Sequence, residues 1–230
     1  TLSLHDALPI FFLIYFLFSF FMFGFERSAY LYVISGPMGC GKTQEIVDHC
    51  KRIEKYSMFD YQAFKPTKDT RYSNGFIESR TKDKIPATIV KSAQGILTNL
   101  NPKVDLIIID EGNFFDRSLI RVVNTLLKSD KKILLAGLDL DFRGNTFNPM
   151  GDLEALADEV DKRHAFCQYE DELRQSCGAI ATRTQRMLNG EPAPYNDPLV
   201  IPGDENESEG NGKDIRTYHA RCIKHHIVPR

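Results

Sequence analysis

A parallel β-sheet covered by helices on both faces is the fold that the sequence predicts. Three observations predict it. Unbroken apolar strands recur along residues 30–160, amphipathic stretches lie between them, and a glycine-rich motif joins the first strand to the first helix. Strands buried on both faces read as continuous apolar runs, and amphipathic connections supply the covering layers.

The elements follow in order. Residues 31–35 (LYVIS) form a buried-strand run that ends at a glycine. Residues 43–56 place Ile46, Val47, Cys50 and Ile53 on one helical face. Residues 61–65 are a weaker strand closed by Pro66, and 66–80 are polar and read as a loop. Residues 104–110 (VDLIIID) are a strong strand. Asp116 is placed to cap the next helix, where Leu119, Val122, Val123, Leu126 and Leu127 make a stripe. Residues 132–137 (KILLAG) are another buried strand. Beyond about residue 160 long apolar runs stop, and cysteine, histidine, glycine and proline increase. Residues 161–230 therefore read as a small second module that needs a staple. Residues 203–212 within it are acidic and glycine-rich.

Gly36-Pro37-Met38-Gly39-Cys40-Gly41-Lys42-Thr43 fits G-x-x-x-x-G-K-[ST] and sits between a strand and a helix, where a phosphate-binding loop must be. Glycines let backbone N–H groups close around phosphate oxygens, and the helix N-terminus adds a favourable dipole. Lys42 is placed to reach the β- and γ-phosphates of a nucleotide, and the Thr43 hydroxyl to ligate Mg²⁺. Asp110 ends the next strong strand, where a magnesium-holding carboxylate belongs. Glu111 follows at the carboxyl edge of the sheet, where ligands of open α/β sheets bind. A carboxylate there can accept the proton of an attacking hydroxyl.

Bulk properties exclude other classes. Twenty-nine basic and 31 acidic residues give a formal net charge of −2 in a chain of 230. A polyanion-binding surface is not expected from that balance, so phosphate chemistry must come from a local site. Five cysteines at irregular spacing do not make a secreted disulfide framework; they suit a reducing compartment, with some thiolates on metal.

Residues 1–29 are expected to be a non-native leader. The decapeptide TLSLHDALPI resembles one translated frame of a sequencing adapter, and the apolar run 10–25 reads as translated T-rich DNA upstream of a start at Met22. The competing reading is a membrane anchor. The run is short of the ~20 residues that a spanning helix needs, and no basic residues precede it as in a signal peptide.

Several motifs together resemble one family. GPMGCGKT resembles the P-loop of the thymidine kinases found in vertebrate cytosol, many bacteria and large DNA viruses. KPTKDTRY (65–72) and IESR (77–80) resemble that family's next block, and IIIDEGNFF (107–115) its Asp-Glu-Ala-Gln-Phe-Phe motif. GLDLDFRG (137–144), CGAIATRTQRMLNGEPA (177–193) and YHARCIKHH (218–226) resemble its later blocks, in the family's order. The resemblance implies a P-loop α/β domain over 30–160 and a small zinc-ribbon-like lobe with a lasso loop over 161–230.

It also implies ATP-dependent phosphorylation of thymidine at the 5′-hydroxyl, with Mg²⁺ and a structural Zn²⁺ as cofactors. Glu111 matches the family's general base. Asp69, Thr70 and Arg71 match residues beside the nucleotide. Met38, Asn113, Phe114, Phe142, Thr184 and Tyr218 match positions around the nucleoside; without the resemblance these aromatics would read as core. Leu199, Val200, Ile201, Pro202 and Gly203 match the lasso segment that meets the thymine edge through backbone groups. Cys167, Cys177, Cys222 and His225 match the zinc ligands, with His226 and His164 in reserve. A homotetramer in the cytoplasm is implied, with no nucleic-acid or membrane partner.

The chain departs from the family's pattern in four places. Asn113 stands for Gln, shortening the side chain near the base. Gly112 stands for Ala and is expected to loosen the backbone. The first cysteines are C-x9-C, with Glu170 where the second would fall. The lasso carries about ten extra residues around 204–214. Two other functions fit a bare phosphate loop: a P-loop hydrolase or motor, which needs a water-orienting residue and an arginine finger, and a non-catalytic nucleotide-binding relative. Intact Lys42, Thr43, Asp110 and Glu111 argue against the second.

Overall fold

The computed structural model describes residues 29–56, 60–67, 75–199 and 214–230. The expected leader, Asp69, Thr70, Arg71, Val200, Ile201, Pro202 and Gly203 therefore lie outside the described residues.

Six parallel strands make the central sheet, in the order β5-β2-β6-β7-β1-β8. They are β1 (Tyr30–Ser35), β2 (Tyr61–Pro66), β5 (Thr88–Val90), β6 (Leu106–Ile109), β7 (Lys132–Gly137) and β8 (Glu159–Lys162). The four inner strands are the apolar runs read from the sequence. Their side chains alternate between two cores, which is why the runs had to be continuous. Leu31, Val33, Ile107, Ile109, Ile133 and Leu135 face one cluster, covered by helices α2 (Gln94–Asn99), α3 (Ser118–Lys128) and α4 (Met150–Leu156). Tyr32, Ile34, Leu106, Ile108, Leu134 and Ala136 face the other, beneath helix α1 (Lys42–Tyr56).

Helix α1 buries Ile46, Val47 and Cys50, with Ile53 packed against the same cluster. Helix α3 buries Leu119, Val122, Val123 and Leu126. Asp116 begins it as expected: its Oδ1 accepts the Ser118 N–H at 2.8 Å, satisfying one orphan donor of the first turn.

The segment read as a loop over 66–80 is partly structured. A hairpin of β3 (Phe76–Glu78) and β4 (Lys84–Pro86) buries Ile77 and Ile85 against the α1 side of the core. Three-residue strands are too short for alternation to register. Beyond β8 lie a two-stranded ribbon, β9 (Ala165–Phe166) with β10 (Ile180–Ala181), and a three-stranded sheet in the order β12-β11-β13. The latter comprises β11 (Arg183–Leu188), β12 (Glu191–Pro192) and β13 (Arg216–Arg221). Among the described residues, no helix is long and apolar enough to cross a membrane.

Candidate functional site

The carboxyl edge of the main sheet gathers the chemistry-bearing side chains. Gly36, Pro37, Met38, Gly39, Cys40 and Gly41 turn from β1 into α1, which opens on Lys42 and Thr43. Gly36 has φ 139°, and a Cβ there would stand 2.3 Å from the Arg163 carbonyl oxygen, so only glycine fits. The Lys42 ammonium lies across the loop and donates to the carbonyls of Gly36 (3.0 Å) and Pro37 (2.9 Å).

Asp110 leaves β6 but still donates its N–H to the Phe64 carbonyl at 3.0 Å. Its Oδ1 accepts the Glu111 N–H at 2.9 Å, and its Oδ2 accepts the Thr43 hydroxyl at 3.4 Å. Cis oxygens around a six-coordinate Mg²⁺ at about 2.1 Å stand about 3 Å apart, so this pair fits that ion. Glu111 is buried and left-handed, with φ 53° and ψ 44°. Such a conformation costs a residue with a side chain about 1 kcal/mol or more, and it persists where the surroundings hold it. The turn Gly112–Phe114 then presents Asn113, whose Oδ1 accepts the Leu138 N–H at 2.8 Å. A Cβ on Gly112 would meet Leu135 Cδ2 and Met150 Sδ at 3.0 Å, so the glycine allows close packing.

Residues far apart in sequence meet at this edge. The Met38 N–H donates to Thr184 Oγ1 at 3.0 Å, joining the phosphate loop to β11. Phe142 and Tyr218 both lie on the Arg186 guanidinium, with ring centroids 4.1 and 5.3 Å away. Phe114 packs edge-on to Phe147 at 6.3 Å. Arg186 also donates to the carbonyls of Pro198 and, at 2.8 Å, Leu199. The chain before residue 200 is thus held at Pro198 and Leu199 by Arg186, and at the Asp197 carbonyl by Arg143 Nη2 at 2.8 Å. The Asp197 carboxylate balances Arg186, at 2.7 Å from it and 3.0 Å from Arg216. Burial alone would raise the Asp197 carboxyl, but hydrogen bonds from Arg216 and Arg186 outweigh it and hold the group below its ordinary value.

Sequence reasoning missed Arg186, Asp197 and Arg163. A signal existed for Arg186. Alternation along β11 puts it on the same face as Thr184, which was already placed near the nucleoside. Arg163 follows β8 and ties that edge strand to the phosphate loop and helix α1. Its guanidinium holds Asp161 (2.7 Å), Glu45 (2.6 Å) and the Gly41 carbonyl (3.3 Å). Hydrogen bonding from His49 and the charge of Arg163 bring the Glu45 carboxyl down to about 2.

The second lobe brings Cys167, Cys177, Cys222 and His225 together, with ligand atoms within 4.8 Å of one another. His225 Nδ1 lies 3.7 Å from Cys167 Sγ and 3.5 Å from Cys222 Sγ. A tetrahedral zinc with Zn–S of about 2.3 Å and Zn–N of about 2.0 Å would set those edges near about 3.6 Å. The donor set fits that ion. The long C-x9-C excursion closes because Asp171 Oδ1 accepts the N–H groups of Leu173 and Gln175, both at 2.9 Å. Glu170 is exposed and bridges to Ser176, so it takes no part in the cluster. His226 does not join either; its Nε2 is 2.9 Å from the Phe142 carbonyl oxygen. Tyr169 stacks on His225 at 4.0 Å.

The family profile described as "Thymidine kinase" matches residues 29–226. The chain belongs to the thymidine kinase family. A thymidine kinase phosphorylates its nucleoside, and the phosphate loop, the Asp110–Glu111 pair and the Cys/His cluster of this enzyme all lie inside the matched span.

Proposed function

We propose that the enzyme transfers the γ-phosphoryl group of ATP to the 5′-hydroxyl of thymidine, giving dTMP and ADP, as a nucleotide-salvage step in the cytoplasm. The observation that carries this reading is the hydrogen bond from Met38 to Thr184. It draws the C-terminal lobe onto the phosphate loop, so a nucleoside held there would lie beside the γ-phosphate.

The roles follow from chemistry. Backbone N–H groups of residues 36–43 bind the phosphates, and Lys42 neutralises the β/γ oxygens. Asp69, Thr70 and Arg71 flank the nucleotide. Thr43 and Asp110 would hold Mg²⁺, which supplies charge neutralisation along the triphosphate. Glu111 takes the 5′-hydroxyl proton as the new O–P bond forms and the bond to the β–γ bridging oxygen breaks, leaving its electron pair on ADP. Met38, Asn113, Phe114, Phe142, Thr184, Tyr218 and the segment Leu199, Val200, Ile201, Pro202, Gly203 surround the nucleoside. Arg186 holds the carbonyls of Pro198 and Leu199 at its start. A homotetramer is part of the proposal, as the family resemblance implies.

A coupled ADP-release assay at fixed ATP tests the function. Turnover should require thymidine, with deoxycytidine and purine nucleosides inactive. ADP release independent of any nucleoside would mark a hydrolase, and none at all a non-catalytic relative.

The Cys/His cluster would hold a structural zinc, because four protein ligands leave no open position. Metal analysis of freshly purified protein should find about one zinc per chain. Cys222→Ser should lower both the zinc content and the melting temperature. Folded, active protein without zinc would reject the site.

A further inference from the structure

We propose that Arg80 is a further cation of the phosphate site, acting with Lys42 on the γ-phosphoryl group as it transfers. The inference rests on the ATP-dependent reading above.

Arg80 stands in the turn between β3 and β4, and its guanidinium lies against the crown of the phosphate loop. A Cβ on Gly39 would sit 3.3 Å from Arg80 Nη1 and 3.8 Å from Nη2. Gly39, at φ 77°, lets the guanidinium come this close. Hydrogen bonds, an ion pair and apolar packing build the placement. Thr81 Oγ1 donates to Gln44 Oε1 at 2.5 Å and accepts from Ser79 Oγ at 2.9 Å. Asp83 pairs with Lys51. Ile77 and Ile85, each 1 % exposed, anchor the hairpin in the core shared with Ile46 and Val47. Gln44 and Lys51 belong to α1, so the turn that carries Arg80 is fastened to the helix that the phosphate loop opens.

Charge decides what the placement does. Arg163, the other arginine at this loop, is neutralised by Asp161 and Glu45 and serves its shape. Arg80 is exposed and has no hydrogen-bond or ion-pair partner among the described residues. Two cations thus lie at one glycine-rich loop, Arg80 beside Gly39 and Lys42 at the carbonyls of Gly36 and Pro37. An arriving polyphosphate would be attracted by both. A guanidinium also offers paired donors that match phosphoryl oxygens. In the transition state charge spreads over the equatorial oxygens of the γ-phosphoryl group, so a cation there accelerates transfer more than it tightens binding.

Steady-state kinetics of the wild type, Arg80→Ala and Arg80→Lys, together with calorimetric ADP binding and thermal melts, test this. Arg80→Ala should lower kcat by about 10²-fold. Its thymidine KM, ADP affinity and melting temperature should stay near wild type. Arg80→Lys should recover about tenfold of the loss, since it restores charge without the fork. An Arg80→Ala variant within about threefold of wild type in kcat and in kcat/KM for ATP overturns the inference. So does a loss that Lys does not recover, or one matched by lost ADP affinity or a lower melting temperature. A wild type without thymidine-dependent turnover would bring down the kinase reading and this inference together; an active wild type with an unaffected Arg80→Ala brings down this inference alone.

Discussion

Lys42→Ala is expected to lower kcat by at least about 10³-fold, the largest effect of any single change in this enzyme. The reason is geometric. Lys42 is the only lysine of the phosphate loop, and its ammonium is already drawn across that loop by the Gly36 and Pro37 carbonyls. Alanine keeps the helix start, being a good helix former, so the fold should survive and the loss should be chemical. Single-turnover phosphoryl transfer with a circular dichroism control measures it. A variant that kept near wild-type kcat would show that the loop does not hold the transferred phosphate.

Glu111→Gln should give the second largest effect, a kcat loss of about 10²–10⁴-fold, with nucleotide affinity little changed. Gln preserves shape and removes the proton acceptor. Asp110→Asn should differ, weakening magnesium-dependent nucleotide binding as well as turnover, because Asp110 is the carboxylate beside the Thr43 hydroxyl. The left-handed backbone at Glu111 sharpens the prediction. A strained residue at the carboxyl end of a strand is what a functional role would retain, whereas a purely structural strand end would relax. A Gln variant within a few fold of wild type in single-turnover transfer would remove Glu111 from the mechanism and leave positioning and electrostatics to carry it.

The inner sheet was legible because its strands are buried on both faces. Leu31, Val33, Ile107 and Ile109 had to be as apolar as Tyr32, Ile34, Leu106 and Ile108 between them. The outer strands were not. Thr88–Val90 is three residues long, and Glu159–Lys162 alternates half-buried with exposed positions, including two acids and a lysine, as an edge permits. The phosphate loop and the Asp110–Glu111 pair were legible because local motifs carry them. Arg186 and Asp197 were harder: they are 11 residues apart, and their pairing depends on the path of the chain between β11 and Pro198. The C-x9-C spacing departs from the family's pattern, yet only the ends of the excursion need to meet, and the Asp171 carboxylate ties it into a compact turn that returns Cys177 to Cys167. The close packing at Gly112 was not legible, because it rests on Leu135 and Met150, far from it in sequence.

The central claim is transfer of the γ-phosphoryl group to thymidine at this site, and tracing the label tests it most directly. Wild-type enzyme incubated with γ-labelled ATP, Mg²⁺ and thymidine should place the label on the 5′-position of the nucleoside, in an amount equal to the ADP formed. Label appearing as inorganic phosphate, with no labelled thymidine monophosphate, would contradict the account.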